Sequence, residues 1–183
     1  MVSLFFYKLS GIVITMYTIL SHETNPALRE KARHIPIKDI TSPEIRQLLD
    51  EMQALLSVEE HGVALAAPQV GEAIQLFIIA KSVFKDEKKS SVRHLVYINP
   101  RITKTSRSKE DKHEGCLSIR GLWGYVPRAD KVTIEAYDEY GVKFSHGASG
   151  LLAHIFQHEV DHLHGILYID KAVSVTRDDA SMV

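Results

Sequence analysis

Gln157-His158-Glu159-Val160-Asp161-His162-Leu163 is the stretch on which the reading of this chain turns. Its two histidines are four residues apart, and on an α-helix positions i and i+4 share one face, a turn apart. His158 and His162 can therefore hold one metal ion from the same side. Glu159 lies next to that ion, placed to move protons rather than to ligate. Outward from the motif, Leu151, Leu152, Ile155, Phe156 and Leu163 give broad apolar coverage, more than one narrow stripe. A helix from about residue 148 to 164 is predicted to be largely buried, with Gly165 just past its end. Polar groups in a core need partners, and a metal is one. The competing reading is an ordinary amphipathic helix with two exposed histidines.

A catalytic site of this kind takes three protein ligands and keeps one position open. The third ligand is hard to find downstream. The metzincin pattern needs a histidine where this chain has Tyr168. A thermolysin-like site needs a downstream glutamate, and none follows Glu159. Asp170 remains, with Asp178 and Asp179 in a polar tail. Upstream, Cys116 is the strongest candidate. A thiolate suits iron, zinc or nickel, and metal binding holds it deprotonated. His113 and His154 stay open as alternatives, His154 because it lies one turn before His158.

The chain has 183 residues, enough for one domain with a substantial core. Its net charge of −1 provides no global field toward nucleic acid or an anionic membrane. Cys116 is the single cysteine, so no intrachain disulfide can form and a reducing compartment is the natural setting. Residues 1–15 are apolar and read as an extension, either disordered or upstream of a start at Met16. A signal peptide is disfavoured, because the stretch carries only Lys8 and no small-x-small cleavage site follows. The apolar run is too short and interrupted for a membrane span. Residues 16–172 read as one catalytic domain and 173–183 as a loose polar tail.

Within that domain a short helix is expected at 25–32. Ser42 and Pro43 suit the N-cap and first turn of a long amphipathic helix. Ile45, Leu48, Leu49, Met52, Leu55 and Leu56 follow at helical spacing. The small residues of 62–71 let a backbone approach closely, and Pro68 rules out a central strand. Gln69 is a lone polar side chain in that apolar setting. Strands are expected at 74–80, at 94–98 (stopped by Asn99-Pro100), at 101–106, and at 132–137 with a hairpin return at 142–144. Residues 81–92, 106–113 and 119–129 read as connections and 166–169 as a short strand.

Residues 62–69, 114–118 and 157–165 together resemble the three motifs of peptide deformylases, in order and at plausible separations. The resemblance spans roughly residues 17–170. It implies an α+β fold with antiparallel β-sheets packed around a central metal-binding helix, alongside the long amphipathic helix near the N-terminus. It implies removal of the formyl group from the N-formylmethionine of new polypeptides, with release of formate. The implied metal ligands are Cys116, His158 and His162, holding Fe²⁺ in many members, replaceable by Zn²⁺, Ni²⁺ or Co²⁺. Glu159 is then the acid–base group, and the Gln69 amide and Leu117 backbone N–H are the oxyanion donors. Gly62, Val63, Ala64, Gly115, Leu151 and Ile155 are the expected peptide-binding positions. Glu114 is a candidate brace through Arg128, and Trp123 a candidate rim. The resemblance also implies an N-formylmethionyl peptide partner, transient proximity to the ribosome, a monomer, no nucleic-acid or membrane binding, and a cytoplasmic or, alternatively, organellar setting. Three positions depart from the pattern: Ala64 stands where glycine is usual, Arg120 where proline is frequent, and His154 where arginine is frequent. A metallopeptidase cutting internal bonds and a silent relative binding nascent chains or metal are the rival readings.

Overall fold

The computed structural model describes residues 5–9, 12–84 and 95–177. β1 (Phe5–Leu9) and β2 (Ile12–Met16), inside the apolar stretch at the start, pair antiparallel as a ribbon of their own. After a 3-10 turn at Pro26–Arg29, α1 runs Pro43–Val58. Then follow β3 (Ala64–Ala66), β4 (Leu76–Ile79), β5 (Val96–Thr105), β6 (Lys109–Cys116), β7 (Ile119–Ala129), β8 (Lys131–Tyr137) and β9 (Lys143–Ser149). α2 (Gly150–Leu163) and β10 (Ser174–Arg177) complete the order. The strands form one five-stranded antiparallel sheet, β3-β4-β5-β8-β9, and one three-stranded sheet, β10-β7-β6.

The start of α1 follows from its sequence. Ser42 Oγ accepts the Ile45 N–H at 3.4 Å, and Pro43 fills a position where a missing N–H costs nothing. The five-stranded sheet lies between the helices, and period-2 alternation along β4 shows why. Leu76 and Ile78 pack with Leu48, Leu49, Met52 and Leu56 of α1. Phe77 and Ile79 pack with Ala153, Phe156 and Val160 of α2. A strand covered on both faces reads as an unbroken apolar run, which 76–80 does. Across the strands Phe77 stacks on Tyr97, with ring centroids 4.7 Å apart. Each fully buried Leu, Ile or Phe here contributes about 1.5–3 kcal/mol before its ordering entropy.

Several expectations are corrected. Asn99-Pro100 does not stop a strand: β5 continues to Thr105 through a bulge between Ile98 and Arg101. Asn99 takes φ 51°, which asparagine tolerates, while its side chain accepts the Ile35 N–H and donates to the Ile35 carbonyl, both at 2.8 Å. The charged stretch 106–113 and the Gly/Pro-containing stretch 119–129 are largely β6 and β7, which pair from Lys109↔Ala129 to Cys116↔Ile119. β10 covers only Leu122–Tyr125 of β7, which leaves Pro127 where the strand has an open side and proline is tolerated. Residues 166–169 are not a strand. Tyr168–Asp170 form a 3-10 turn, its start held by the Leu167 N–H donating to Asp170 Oδ2 at 2.8 Å. Of the lysine- and serine-rich stretch 81–92, Lys81–Phe84 form a 3-10 turn; 85–94, like 178–183 of the tail, lie outside the described residues. No helix among the described residues is long and apolar enough to cross a membrane.

Candidate active site

α2 carries the motif through the core. Leu152, Ala153, Ile155, Phe156, Val160 and Leu163 anchor it, and Glu159 and His162 are buried among them. Its end is closed by two bonds: the Ile166 N–H donates to the Asp161 carbonyl at 3.0 Å, the Gly165 N–H to the His162 carbonyl at 3.1 Å. This is the double closure that a left-handed residue after the last turn allows, and Gly165 has φ +72°. The second histidine is thereby fixed at a rigid helix end.

Cys116 reaches the same place from the end of β6. Ligand atoms of Cys116, His158 and His162 all lie within 4.8 Å of one another, and Cys116 Sγ is 3.4 Å from His162 Nε2. Tetrahedral metal sites with bonds near 2.3 Å to sulfur and 2.1 Å to nitrogen put those donors about 3.6 Å apart, so the cluster has the size an ion needs. The other third-ligand candidates among the described residues have other partners, and Asp178 and Asp179 lie outside those residues. His113 stacks on Trp123, centroids 5.1 Å apart. His154 Nε2 meets Glu114 Oε1 at 2.9 Å. Asp170 pairs with Arg29 at 2.5 Å.

Glu114 organises the cluster from behind. It accepts from His158 Nδ1 at 2.7 Å, which turns Nε2 of that ring toward Cys116. It also accepts from Arg128 Nε and Nη2 at 2.6 and 3.0 Å. Arg128 Nη1 donates in turn to Asp161 Oδ2 at 2.6 Å, and Lys171 Nζ donates to Asp161 Oδ1 at 2.6 Å. The Glu114–Arg128 pair is thus a buried brace rather than an exposed ion pair. Burial, the largest influence, pushes the Glu114 carboxyl up; the hydrogen bonds from His154, His158 and Arg128 outweigh it and hold the group well below the usual carboxylate range. Sequence reasoning missed Asp161, which sits inside the motif, and the tie from His154 to Glu114. Neither had a local sequence signal, because in each case the two partners lie on different elements.

Glu159 is buried against the cluster, and among the described residues its Oε2 has no hydrogen-bond partner. Burial pushes its carboxyl up to about 7, with His158 opposing that shift. His162 is pushed well below its ordinary value, first by burial and then by His158. Its Nδ1 is also buried without a partner among the described residues. The unpartnered Glu159 oxygen beside a Cys/His/His set fits a bound cation and a water; His162 Nδ1 is the ring nitrogen away from the cluster, which it meets through Nε2.

Gln69 stands in the 3-10 turn Ala67–Val70 that follows β3. Its Oε1 accepts the Ala66 N–H at 2.8 Å, which sets the amide so that Nε2 faces Cys116 Sγ at 3.5 Å and Ser118 Oγ at 3.4 Å. Backbone and side-chain bonds pin this turn: Leu20 N–H to the Gln69 carbonyl, and Asn25 Nδ2 to the Pro68 carbonyl. A cleft of about 590 Å³ opens over these groups. Gly62, Val63 and Ala64 line one wall, Gly115, Leu117 and Trp123 another, and Leu151 and Ile155 of α2 a third. Trp123 lies flat over Gly115, where a Cβ would come within 2.7 Å of the ring. The six expected peptide-binding positions therefore share one cleft with Gln69, Cys116, His158 and Glu159.

A family model described as polypeptide deformylase matches residues 16–178. This chain belongs to that family. A peptide deformylase of Carboxydothermus hydrogenoformans is 40% identical over 153 residues, covering 84% of this chain and 91% of the relative. Peptide deformylase 2 of Clostridium acetobutylicum is 42% identical over 145 residues, covering 78% and 87%. Among solved structures, a class I type b peptide deformylase of Acinetobacter baumannii matches with TM-score 0.74 at 30% identity, over 85% of this chain and 99% of that one. The deformylase fold of that structure thus extends over most of the present chain, and members of the family depend on a metal.

Proposed function

We infer that this protein is a metal-dependent hydrolase that removes the formyl group from N-formylmethionine at the start of new polypeptides. Family membership across most of the chain supports the reaction class. The observation that carries the assignment to this chain's own residues is the Cys116/His158/His162 cluster, with Glu159 and Gln69 facing one cleft.

In this reading Cys116, His158 and His162 hold one divalent ion, Fe²⁺ or a substitute such as Zn²⁺, Ni²⁺ or Co²⁺. When bound, the ion supplies Lewis acidity and makes water a nucleophile near neutral pH. Glu159 takes the proton of the attacking water and delivers it to the leaving amine. Water and formamide thereby become formate and a free amino terminus. The developing oxyanion is met by Gln69 Nε2 and the Leu117 backbone N–H. Glu114 keeps the His158 ring in one tautomer. β3 is the edge of its sheet, so the peptide backbone can add beside Gly62-Val63-Ala64 as a further strand. The methionine side chain takes the apolar space between Val63, Leu151 and Ile155. The catalytic domain is 16–172, acting as a cytoplasmic monomer on chains close to the ribosome.

The test is anaerobic purification with metal analysis, followed by formate release from formyl-methionyl peptides. Formate release with unformylated peptides left intact is the expected outcome. Internal cleavage of unformylated peptides would make the protein a metallopeptidase instead.

A further inference from the structure

The β6–β7 hairpin falls out of register beside the cleft. Cys116 pairs with Ile119 and Glu114 with Gly124, so Gly115 alone stands opposite Arg120, Gly121, Leu122 and Trp123. Such a surplus bends a strand and re-aims its side chains. It places Arg120 directly after the partner of Cys116. From there Arg120 Nη2 reaches both carboxylate oxygens of Glu59, at 3.0 and 3.2 Å. Glu59 caps α1 on the opposite wall, just ahead of Gly62-Val63-Ala64. Both residues line the cleft, so the pair ties its two lips together. The halves are unequal: the Arg120 side chain is 67% exposed and that of Glu59 is 23% exposed. Glu59 is the held partner and Arg120 the accessible arm. Both contacts use one terminal nitrogen of a guanidinium that has five N–H donors, and its remaining donors match a second carboxylate.

We propose that Arg120, steadied by Glu59, reads charge on the first residues after the methionine and favours formylated peptides with an acidic side chain there over basic ones. This rests on the deformylase reading of the site. A peptide laid along β3 with its formyl group beside Cys116 leaves between these lips. Each extended residue advances about 3.3 Å, so its side chains pass Arg120 within the first few positions. An aspartate or glutamate takes the remaining donors without breaking the pair. A lysine meets the like charge of Arg120 and finds Glu59 already neutralised.

Formate release is measured for three formyl-methionyl peptides that differ only in carrying alanine, aspartate or lysine at the next two positions. The expected kcat/KM ratio of aspartate to lysine peptide is roughly three- to tenfold at low ionic strength, shrinking toward one in high salt. Arg120→Gln should bring the ratio close to one, read within the variant so that any rate change common to all three peptides cancels. The exchanged pair, Glu59→Arg with Arg120→Glu, rebuilds the tie with opposite polarity and should invert the ratio. A purely mechanical tie would instead shift all three peptides equally and be restored by the exchange; either result overturns the proposal, as does equal turnover of the two charged peptides by the wild type. Absence of formate from the alanine peptide with metal-loaded wild type would count against the deformylase reading itself.

Discussion

Glu159 combines two properties that ordinarily exclude each other, a buried carboxyl and an oxygen left without a partner among the described residues. That combination costs stability and is retained where a proton must move. Glu159→Gln keeps the shape and loses the base, so formate release should fall by about 10²–10⁴ with metal content unchanged. Substantial turnover in a metal-loaded sample would remove Glu159 from its role. The same group makes a pH prediction for the metal-stripped protein. Its folded pKa of about 7 lies above the ordinary 4.5, so below pH 4.5 both folded and unfolded forms are protonated and there is no penalty. As pH rises, the unfolded chain releases the proton first, and stability is lost until the folded carboxyl also ionises, a cost on the order of 3 kcal/mol. Glu159→Gln should therefore melt higher than wild type at pH 8 and equally at pH 4; a pH-independent difference would contradict this. Gln69 works through both ends of its amide. Gln69→Glu keeps the acceptor for the Ala66 N–H and removes the donor, which should lower kcat by about 10²–10³, with KM far less affected in steady-state kinetics.

At the scale of elements, the site depends on where α2 ends and where β6 ends. Gly165 has φ +72°, and a Cβ there would lie 2.7 Å from the Arg29 carbonyl oxygen, which is backbone and cannot swing away. Gly165→Ala should cost about 1–3 kcal/mol, lowering the midpoint of thermal unfolding by several degrees. An unchanged melting curve would mean that the helix end can re-form without its left-handed turn. α2 and α1 were legible because a helix writes its buried face in local periodicity: Leu151 to Leu163 and Ile45 to Leu56 need no distant partner to be recognised. β6 was illegible for the converse reason. Lys109, Glu110 and Asp111 are exposed in it and Lys112 is half-buried, and a strand with little buried surface looks like a charged loop until its partner is known. β7 likewise hid behind Gly121, Gly124 and Pro127, whose meaning changes once one edge is paired and the other is partly open.

For the molecule as a whole, the sheets and helices bring Cys116, His158 and His162 into one cluster of a size to hold a cation. A bound ion stabilises the folded state by mass action, about 2.7 kcal/mol at a free concentration one hundred times Kd. Chelation should therefore abolish formate release and lower the unfolding midpoint by several degrees, and adding Fe²⁺ or Ni²⁺ under argon should restore both. Restoration of neither by any divalent ion would exclude this cluster as the metal centre.

The H-E-x-x-H spacing, the apolar coverage of α2 and the missing downstream ligand were enough to place His158, Glu159 and His162 and to turn attention to Cys116. These are one-dimensional facts, because helical periodicity converts sequence spacing directly into a shared face. Glu114 was a candidate brace through Arg128 from the sequence, but only three dimensions decided that the pair is buried and that the same carboxylate also joins His154 and His158 across β6, β7 and α2. The same holds for the Gln69 amide aimed at Cys116 and for Arg120 tied to Glu59. Their partners lie 14 to 61 residues apart, and no local pattern encodes the strand register and sheet packing that bring them within reach.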